Sequence, residues 1–398
     1  MPGFKKRTIR DVDPSGKKVL VRVDFNVPLE DGKVADDTRI RAALPTIASL
    51  RERGAALALC SHLGRPKGKD PKQSLAPVAE RLSQLLDTKV RLLPDCVGPE
   101  VRAAVGKLKR GEVVLLENTR FHSEEEKNDP AFAKELASGF DLYVNDAFGA
   151  AHRAHASTEG VAKVLPAYAG LLLEKELVAL GGLLGDPKHP FLAIIGGAKV
   201  SSKIDVLRSL VPKVDALAVG GGMANTFLLA KGNQVGTSLV EEDRAGEAAR
   251  IIEEVEGDKK RMLLPVDVLC APSVDAEGAQ RAMTYDVDEV PPGMAIVDIG
   301  PRTVALYRDV VREARTVFWN GPVGVFEIDA FANGTRQLAQ FMANNPLATT
   351  VVGGGESVQA VTEEGLADKM THVSTGGGAS LELIEGKSLP GVEAIPDA

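Results

Sequence analysis

The 398-residue chain is 44% hydrophobic and 26% charged. It is too long for one ordinary core and reads as two globular domains. No apolar run reaches the roughly 18 residues of a membrane span, and the opening M-P-G-F-K-K-R-T-I-R-D lacks the apolar centre of a signal peptide. Cys60, Cys96 and Cys270 have neither disulfide nor metal spacing, so a reducing, cytoplasmic setting is expected and a disulfide scaffold is excluded.

The net charge of -7 is uneven, about +4 through Gly185 and about -11 beyond it. A basic half attracts anions. No dense Lys/Arg run interleaved with aromatics accompanies it, so a small anion is expected and nucleic acid is not.

The first half repeats a short apolar run followed by a polar or cationic loop. Val19 to Val23 leads into Asp24, Phe25 and Asn26. Ala56 to Cys60 leads into Ser61, His62, Leu63, Gly64 and Arg65. Val113 to Leu116 leads into Glu117, Asn118, Thr119 and Arg120, and Leu142 to Val144 into Asn145, Asp146 and then His152 and Arg153. Between these runs, Asp37 to Arg53 and Ala76 to Leu86 have apolar residues at helical spacing. Such alternation predicts a parallel sheet with helices on both faces. Ligands in such sheets sit beyond the carboxyl ends of the strands. Arg39, His62, Arg65, Arg120 and Arg153, with Asp24 and Asn26, are therefore candidate ligands for an anion bearing phosphate and carboxylate, groups that the arginine fork grips well. Each arginine taken alone is an ordinary surface charge.

Tyr168 to Leu184 reads as a mostly apolar helix linking two domains. Next comes Phe191 to Ile195, a buried strand by its length, then Gly196-Gly197 and Lys199 and Lys203 four residues apart. A helix starting at the Gly pair would put both lysines on one face and aim free N–H groups at a phosphate.

In the second half, glycine replaces arginine after the apolar runs. Ala216 to Val219 precedes Gly220, Gly221 and Gly222. Thr316 to Trp319 precedes Asn320, Gly321, Pro322 and, further on, Glu327. Thr349 to Val352 precedes Gly353, Gly354, Gly355, Glu356 and Ser357, and His372-Val373 precedes Gly376, Gly377 and Gly378. Glycines clustered at strand ends suit a flat base and a phosphate chain contacted through backbone. A polyphosphate in an acidic domain calls for Mg2+, with Glu356 the candidate ligand. Neither G-x-x-x-x-G-K-[ST] nor G-x-G-x-x-G is present, which argues against a Walker ATPase and a dinucleotide-dependent dehydrogenase. A non-enzymatic sensor would not need Lys199 beside a second, arginine-lined anion site.

The strings R-V-D-F-N-V-P, S-H-L-G-R-P, E-N-T-R-F, N-D-A-F-G-A-A-H-R, G-G-A-K-V, W-N-G-P-V-G-V-F-E and S-T-G-G-G-A-S-L-E occur in order along the chain. Together they resemble the phosphoglycerate kinase family over essentially the whole length. The resemblance implies two doubly wound parallel-sheet (Rossmann-like) α/β domains joined by a hinge helix. Residues 1–170 would hold 3-phosphoglycerate or 1,3-bisphosphoglycerate, 171–187 would form the hinge, 188–384 would bind ADP or ATP, and 385–398 would return to the first domain. It implies reversible phosphoryl transfer with Mg2+ by a monomer acting on small molecules, with no membrane or nucleic-acid partner. Asp24, Asn26, Arg39, His62, Arg65, Arg120 and Arg153 would then hold the phosphoglycerate. Gly197, Lys203, Gly221, Gly222, Asn320, Pro322, Glu327, Gly354, Gly355, Glu356 and Ser357 would hold the nucleotide. Arg39, Lys199 and Gly377 would serve the transferring group. Two positions depart from the family pattern: Glu356 stands where an aspartate is usual, and Ile296 where many members have glycine.

Overall fold

The computed structural model describes residues 5–398; residues 1–4, with which the expected first domain begins, lie outside them. Two compact units divide the chain. Of the described residues, one comprises 5–178 together with Lys387–Ala398, the other Ala179–Gly386. The division after Val178 lies inside the helix Leu171–Leu184.

In the first unit the strands are β1 (Lys18–Arg22), the hairpin β2 (Leu29–Glu30) and β3 (Lys33–Val34), β4 (Ala56–Cys60), β5 (Arg91–Leu92), β6 (Val113–Leu115), β7 (Leu142–Asn145) and β8 (Ala167–Ala169). Six of them form a parallel sheet in the order β5-β6-β4-β1-β7-β8. Alternate side chains of one strand enter different cores. Val19 and Val21 pack with Leu57, Leu59 and the helix residues Ile40 and Ile47, whereas Leu20 packs with Ala58, Cys60, Val114 and Tyr143. A strand buried on both faces has no polar side to show, hence the unbroken apolar runs.

In the second unit the strands are β9 (Phe191–Ile195), β10 (Ala216–Val219), β11 (Arg261–Leu263), β12 (Asp267–Ala271), β13 (Met283–Asp286), β14 (Ala295–Ile299), β15 (Thr316–Asn320), β16 (Thr349–Gly353) and β17 (His372–Val373). The parallel sheet runs β11-β10-β9-β15-β16-β17, and its strand order reverses between β9 and β15. That reversal opens a crevice where the following loops diverge to opposite faces. A second sheet, antiparallel and ordered β13-β12-β14, was not foreseen.

Two sequence expectations fail locally. The helix read from Tyr168 begins at Leu171, because Tyr168 lies in the edge strand β8, paired with β7. Gly170 makes the turn between them, its N–H donating to Asn145 O at 2.8 Å. The second failure concerns Lys199 and Lys203. The Gly pair does not open a continuous helix: Val200–Ser202 form a 3-10 turn and an α-helix starts only at Ile204. Ser202 Oγ donates to Lys199 O at 2.8 Å, and Lys203 N donates to Val200 O at 2.8 Å, both tightening the turn. Serine competes in this way for nearby backbone groups. The two lysines therefore do not share a helix face.

Lys387–Ala398 pairs with the first unit. Arg7 N donates to Pro396 O and Gly391 N to Ala151 O, each at 2.9 Å, and Asn145 Nδ2 donates to Gly391 O at 3.0 Å.

Candidate functional site

In the first unit the loops after β1, β4 and β6 are tied into one frame by side chains that accept and donate to backbone. Asn118, fully buried, accepts from Leu63 N at 3.2 Å and Arg120 N at 3.0 Å, and donates to Leu63 O at 2.7 Å and Gln73 O at 2.8 Å. Asn26 Oδ1 accepts from Gly64 N at 2.9 Å, and Arg120 Nη1 donates to Gly64 O at 2.7 Å. Gly64 adopts φ +62°, a left-handed conformation that favours glycine, and a Cβ there would lie 2.1 Å from Gln73 Oε1, which would have to move.

Within this frame Asp24, Asn26, Arg39, His62 and Arg120 come together. Arg39 Nη1 donates to Asp24 Oδ2 at 3.1 Å and to Asn26 O at 3.2 Å. His62 and Arg120 are buried, while Arg153 is half-buried with its Nε 3.3 Å from His152 Nε2. Arg65 alone of the set is exposed. Desolvation, then Arg22, Arg120 and Arg39, hold His62 well below the ordinary histidine value. Burial, then Arg120, Arg22 and Arg153, push His155 down to about 4. These imidazoles stay neutral because a further cation among the guanidiniums would be unfavourable. Arg22, Asn118 and His155 were missed: the first two read as an ordinary strand end and loop, and nothing in the spacing marked their burial.

In the second unit the crevice at the strand-order reversal is a cavity of about 510 Å3 lined by Gly197, Gly221, Gly222, Pro322, Glu327 and Glu356 among the predicted residues. Leu239, Val268, Val274, Ile296, Val297 and Val325 supply an apolar wall, much of it from the unforeseen antiparallel sheet. Gly196 crosses β15's loop so closely that a Cβ would lie 2.1 Å from Pro322 O. Asn320, at the end of β15, accepts from Lys203 Nζ. Ser357 does not present its hydroxyl freely: Oγ accepts from Gly321 N at 2.5 Å and so fixes the loop after β15. Gly354 and Gly355 open the helix Gly355–Glu363, and Gly377, at φ +52°, precedes the helix Gly378–Ile384.

The two lysines serve different surroundings. Burial pushes Lys203 down to about 8 against the opposing pull of Glu356 and Glu385. Lys199 is exposed and contributes instead to the field at Glu241. Glu241, another missed residue, pins the 3-10 turn by accepting from Ser201 N at 2.9 Å and Ser201 Oγ at 2.6 Å.

Glu356 is an exposed hard-oxygen donor on the cavity wall within the field of Lys203, chemistry that fits a Mg2+ held by one or two carboxylates and ligand phosphates. Asp95, Cys96 and His122 also bring ligand atoms within 4.8 Å of one another, although His122 Nε2 and Asp95 Oδ1 are already bonded at 2.6 Å. No helix among the described residues is long and apolar enough to cross a membrane.

The chain resembles known proteins over nearly its whole length. The phosphoglycerate kinase family model matches residues 9–387. Phosphoglycerate kinases of Chloroflexus aurantiacus and Herpetosiphon aurantiacus are 59% and 58% identical to the chain, each over 99% of it and 100% of the relative. Solved phosphoglycerate kinases from Coxiella burnetii (TM-score 0.89, 42% identity) and Pyrococcus horikoshii (TM-score 0.84, 35% identity) superpose over 98% of both chains. Guanidiniums and a neutral imidazole at one set of strand ends, a glycine-lined crevice with a lysine at another, and this full-length likeness lead to one assignment: the chain belongs to the phosphoglycerate kinase family.

Proposed function

We propose that the protein transfers a phosphoryl group reversibly between 1,3-bisphosphoglycerate and ADP, giving 3-phosphoglycerate and ATP. The observation that supports this reading is a pair of residue clusters of different chemistry, each at the carboxyl ends of a parallel sheet and each suited to an anion. One is built from fixed guanidiniums, the other from glycine backbone and Lys203.

Arg39, His62, Arg65, Arg120 and Arg153, with Asp24 and Asn26, bind the phosphoglycerate. The planar forks of Arg39 and Arg120, already oriented by Asp24 and Gly64 O, give bidentate partners at little entropic cost. Gly197, Gly221, Gly222, Pro322 and Glu327 line the base and ribose side of the nucleotide site. Lys203, Asn320, Gly354, Gly355 and Glu356 serve the phosphates, with Ser357 holding the loop after β15. Mg2+, held by Glu356 and the nucleotide phosphates, would neutralise phosphate charge when bound.

No general base is needed. In the ATP-forming direction the leaving group is a carboxylate, and in reverse the attacking carboxylate is already ionised near neutral pH. The chain's task is to align two anions and to neutralise charge on a loose transition state, for which Arg39, Lys199 and the backbone at Gly377 are assigned. Donor and acceptor are held by different units, so transfer requires hinge-bending about the helix Leu171–Leu184 and exclusion of water that would hydrolyse the acyl phosphate. A monomer suffices for this chemistry, and a cytoplasmic setting supplies both ligands.

The test is ADP release from 3-phosphoglycerate and MgATP, with the bisphosphate product withdrawn by a coupling enzyme. Turnover that requires the acid, the nucleotide and Mg2+ together is expected. Binding of both ligands without turnover would overturn the assignment.

A further inference from the structure

We infer that Arg22 is a positioning residue that fixes the ring of His62 in one tautomer, Nδ1 unprotonated and Nε2–H presented to the anionic substrate. The inference rests on the reading of His62 as a phosphoglycerate-binding group and goes beyond it, since it names what sets that group's chemistry.

Arg22 closes β1 and is 1% exposed, which is unusual for a guanidinium. Each of its three nitrogens has a partner. Nε donates to Ser157 Oγ at 2.8 Å, Nη1 to Val23 O at 2.5 Å, and Nη2 meets His62 Nδ1 at 3.1 Å. Arginine has five N–H donors, no acceptor, and does not lose its proton in a protein. The nitrogen facing it must therefore be the acceptor, and in a neutral imidazole the proton then resides on Nε2. The fork cannot turn to offer another geometry, because its other two ends are held by a backbone carbonyl and a buried hydroxyl. Ser157 is itself held: its N–H and Oγ–H donate to the two oxygens of buried Glu125, at 2.9 and 2.5 Å. A carboxylate, a hydroxyl, a guanidinium and an imidazole thus form one buried chain ending at His62.

The groups around the ring favour the neutral form from every side. Arg22 acts from β1, Arg39 from the helix Thr38–Glu52, Arg120 from the loop after β6, and His155 from the turn after the β7 loop. A protonated His62 would present N–H groups in two directions, one of them against a guanidinium. The locked neutral ring presents one, and among the described residues its side-chain bonding to the protein is confined to Nδ1.

The experiment is a long-range 1H–15N correlation spectrum of the ligand-free protein with 15N-labelled histidine, recorded from about pH 5.5 to about pH 8, a window spanning the ordinary histidine value. The His62 signals are assigned by their loss in His62→Asn. We expect Nδ1 at the frequency of an unprotonated ring nitrogen and Nε2 at that of a protonated one, with no titration in the window. An Nδ1–H tautomer, or a midpoint near the ordinary histidine value, would overturn the inference. In Arg22→Met the ring is expected to populate both tautomers, and KM for 3-phosphoglycerate to rise about tenfold with a smaller change in kcat. The wild-type spectrum decides the tautomer even if that variant does not fold. Adding 3-phosphoglycerate should shift Nε2 and leave Nδ1 in place. A locked ring whose Nε2 ignores the substrate would overturn the presenting role. A protein without kinase turnover would overturn the proposed function while the tautomer readout stood apart.

Discussion

Lys203 Nζ is hydrogen-bonded to Asn320 Oδ1 at the crevice between β9 and β15, and the Nδ2 of the same asparagine is buried without a partner. Two donors are thus present where the strand order reverses: an amide with an unspent N–H pair and an ammonium that burial has made easier to deprotonate. The ammonium is the donor that arriving phosphate oxygens are expected to meet, since the amide nitrogen is enclosed.

This relationship predicts the pH dependence of nucleotide affinity. Burial lowers Lys203 to about 8, and phosphate charge favours the protonated amine, so binding is linked to proton uptake once the pH passes that value. Affinity for ADP should fall above pH 8, approaching tenfold per pH unit. Calorimetry in buffers of different ionisation enthalpy measures the proton uptake directly. Lys203→Arg should abolish the uptake, because a guanidinium stays charged throughout.

Lys199, exposed and apart from Lys203, is assigned to charge that develops only during transfer. Lys199→Ala should lower kcat by about 100-fold or more while changing the dissociation constants of both ligands by less than about threefold. Steady-state kinetics paired with equilibrium binding checks this. Equal losses in kcat and in affinity would remove the role.

Asn118 touches no expected ligand, yet it joins the loops that carry His62, Gly64 and Arg120. Asn118→Ala leaves Leu63 O, Gln73 O and two N–H groups short of partners. It should destabilise the first unit by about 3 kcal/mol, the scale for several buried groups left unsatisfied. Urea denaturation gives that figure, and KM for 3-phosphoglycerate should rise in the variant well below its melting temperature.

Asp146 starts the helix Leu171–Leu184, its Oδ1 accepting from Leu172 N at 2.9 Å and Leu173 N at 3.3 Å. Burial raises it to about 7. A carboxyl raised in the folded state binds more protons there than in the unfolded chain. Its contribution to stability is full below the ordinary carboxylate value and is lost as the pH rises through about 7. Asp146→Asn keeps the Oδ1 acceptor and cannot ionise. The urea midpoint of the variant relative to wild type should therefore increase between pH 5 and pH 8; a constant difference would show that Asp146 does not carry the linkage.

The parts of the fold most legible in sequence were those buried on two faces. β4, β9 and β10 coincide with the apolar runs that predicted them, because a strand with no polar side leaves an unmistakable run. The antiparallel sheet escaped. β13 is mostly exposed, and β12 and β14 each carry a buried aspartate, Asp267 and Asp298, that broke the apolar pattern. Asp267 is spent on Thr303 and the start of the helix Pro301–Glu313, and Asp298 on Gly334 N as well as its neighbour Ile299 N, so that both reach partners 36 residues away. The 3-10 turn at Val200–Ser202 depended on a serine hydroxyl and on Glu241, forty residues away. The spacing of Lys199 and Lys203 could not announce either. Arg22 was hidden for a similar reason. A charged residue at a strand end looks like a solvated terminus until Ser157 and His62 are seen to enclose it.

The pairing of Lys387–Ala398 with the first unit sets the order in which the protein can be finished. During synthesis the first unit is begun first, yet its bonds from Arg7 to Pro396 and from Asn145 to Gly391 form only after the whole of Ala179–Gly386 has been made. The second unit, one uninterrupted stretch, has all its strands in hand earlier. The half begun first is completed last, and a chain truncated by a dozen residues loses contacts in the unit farthest away along the sequence.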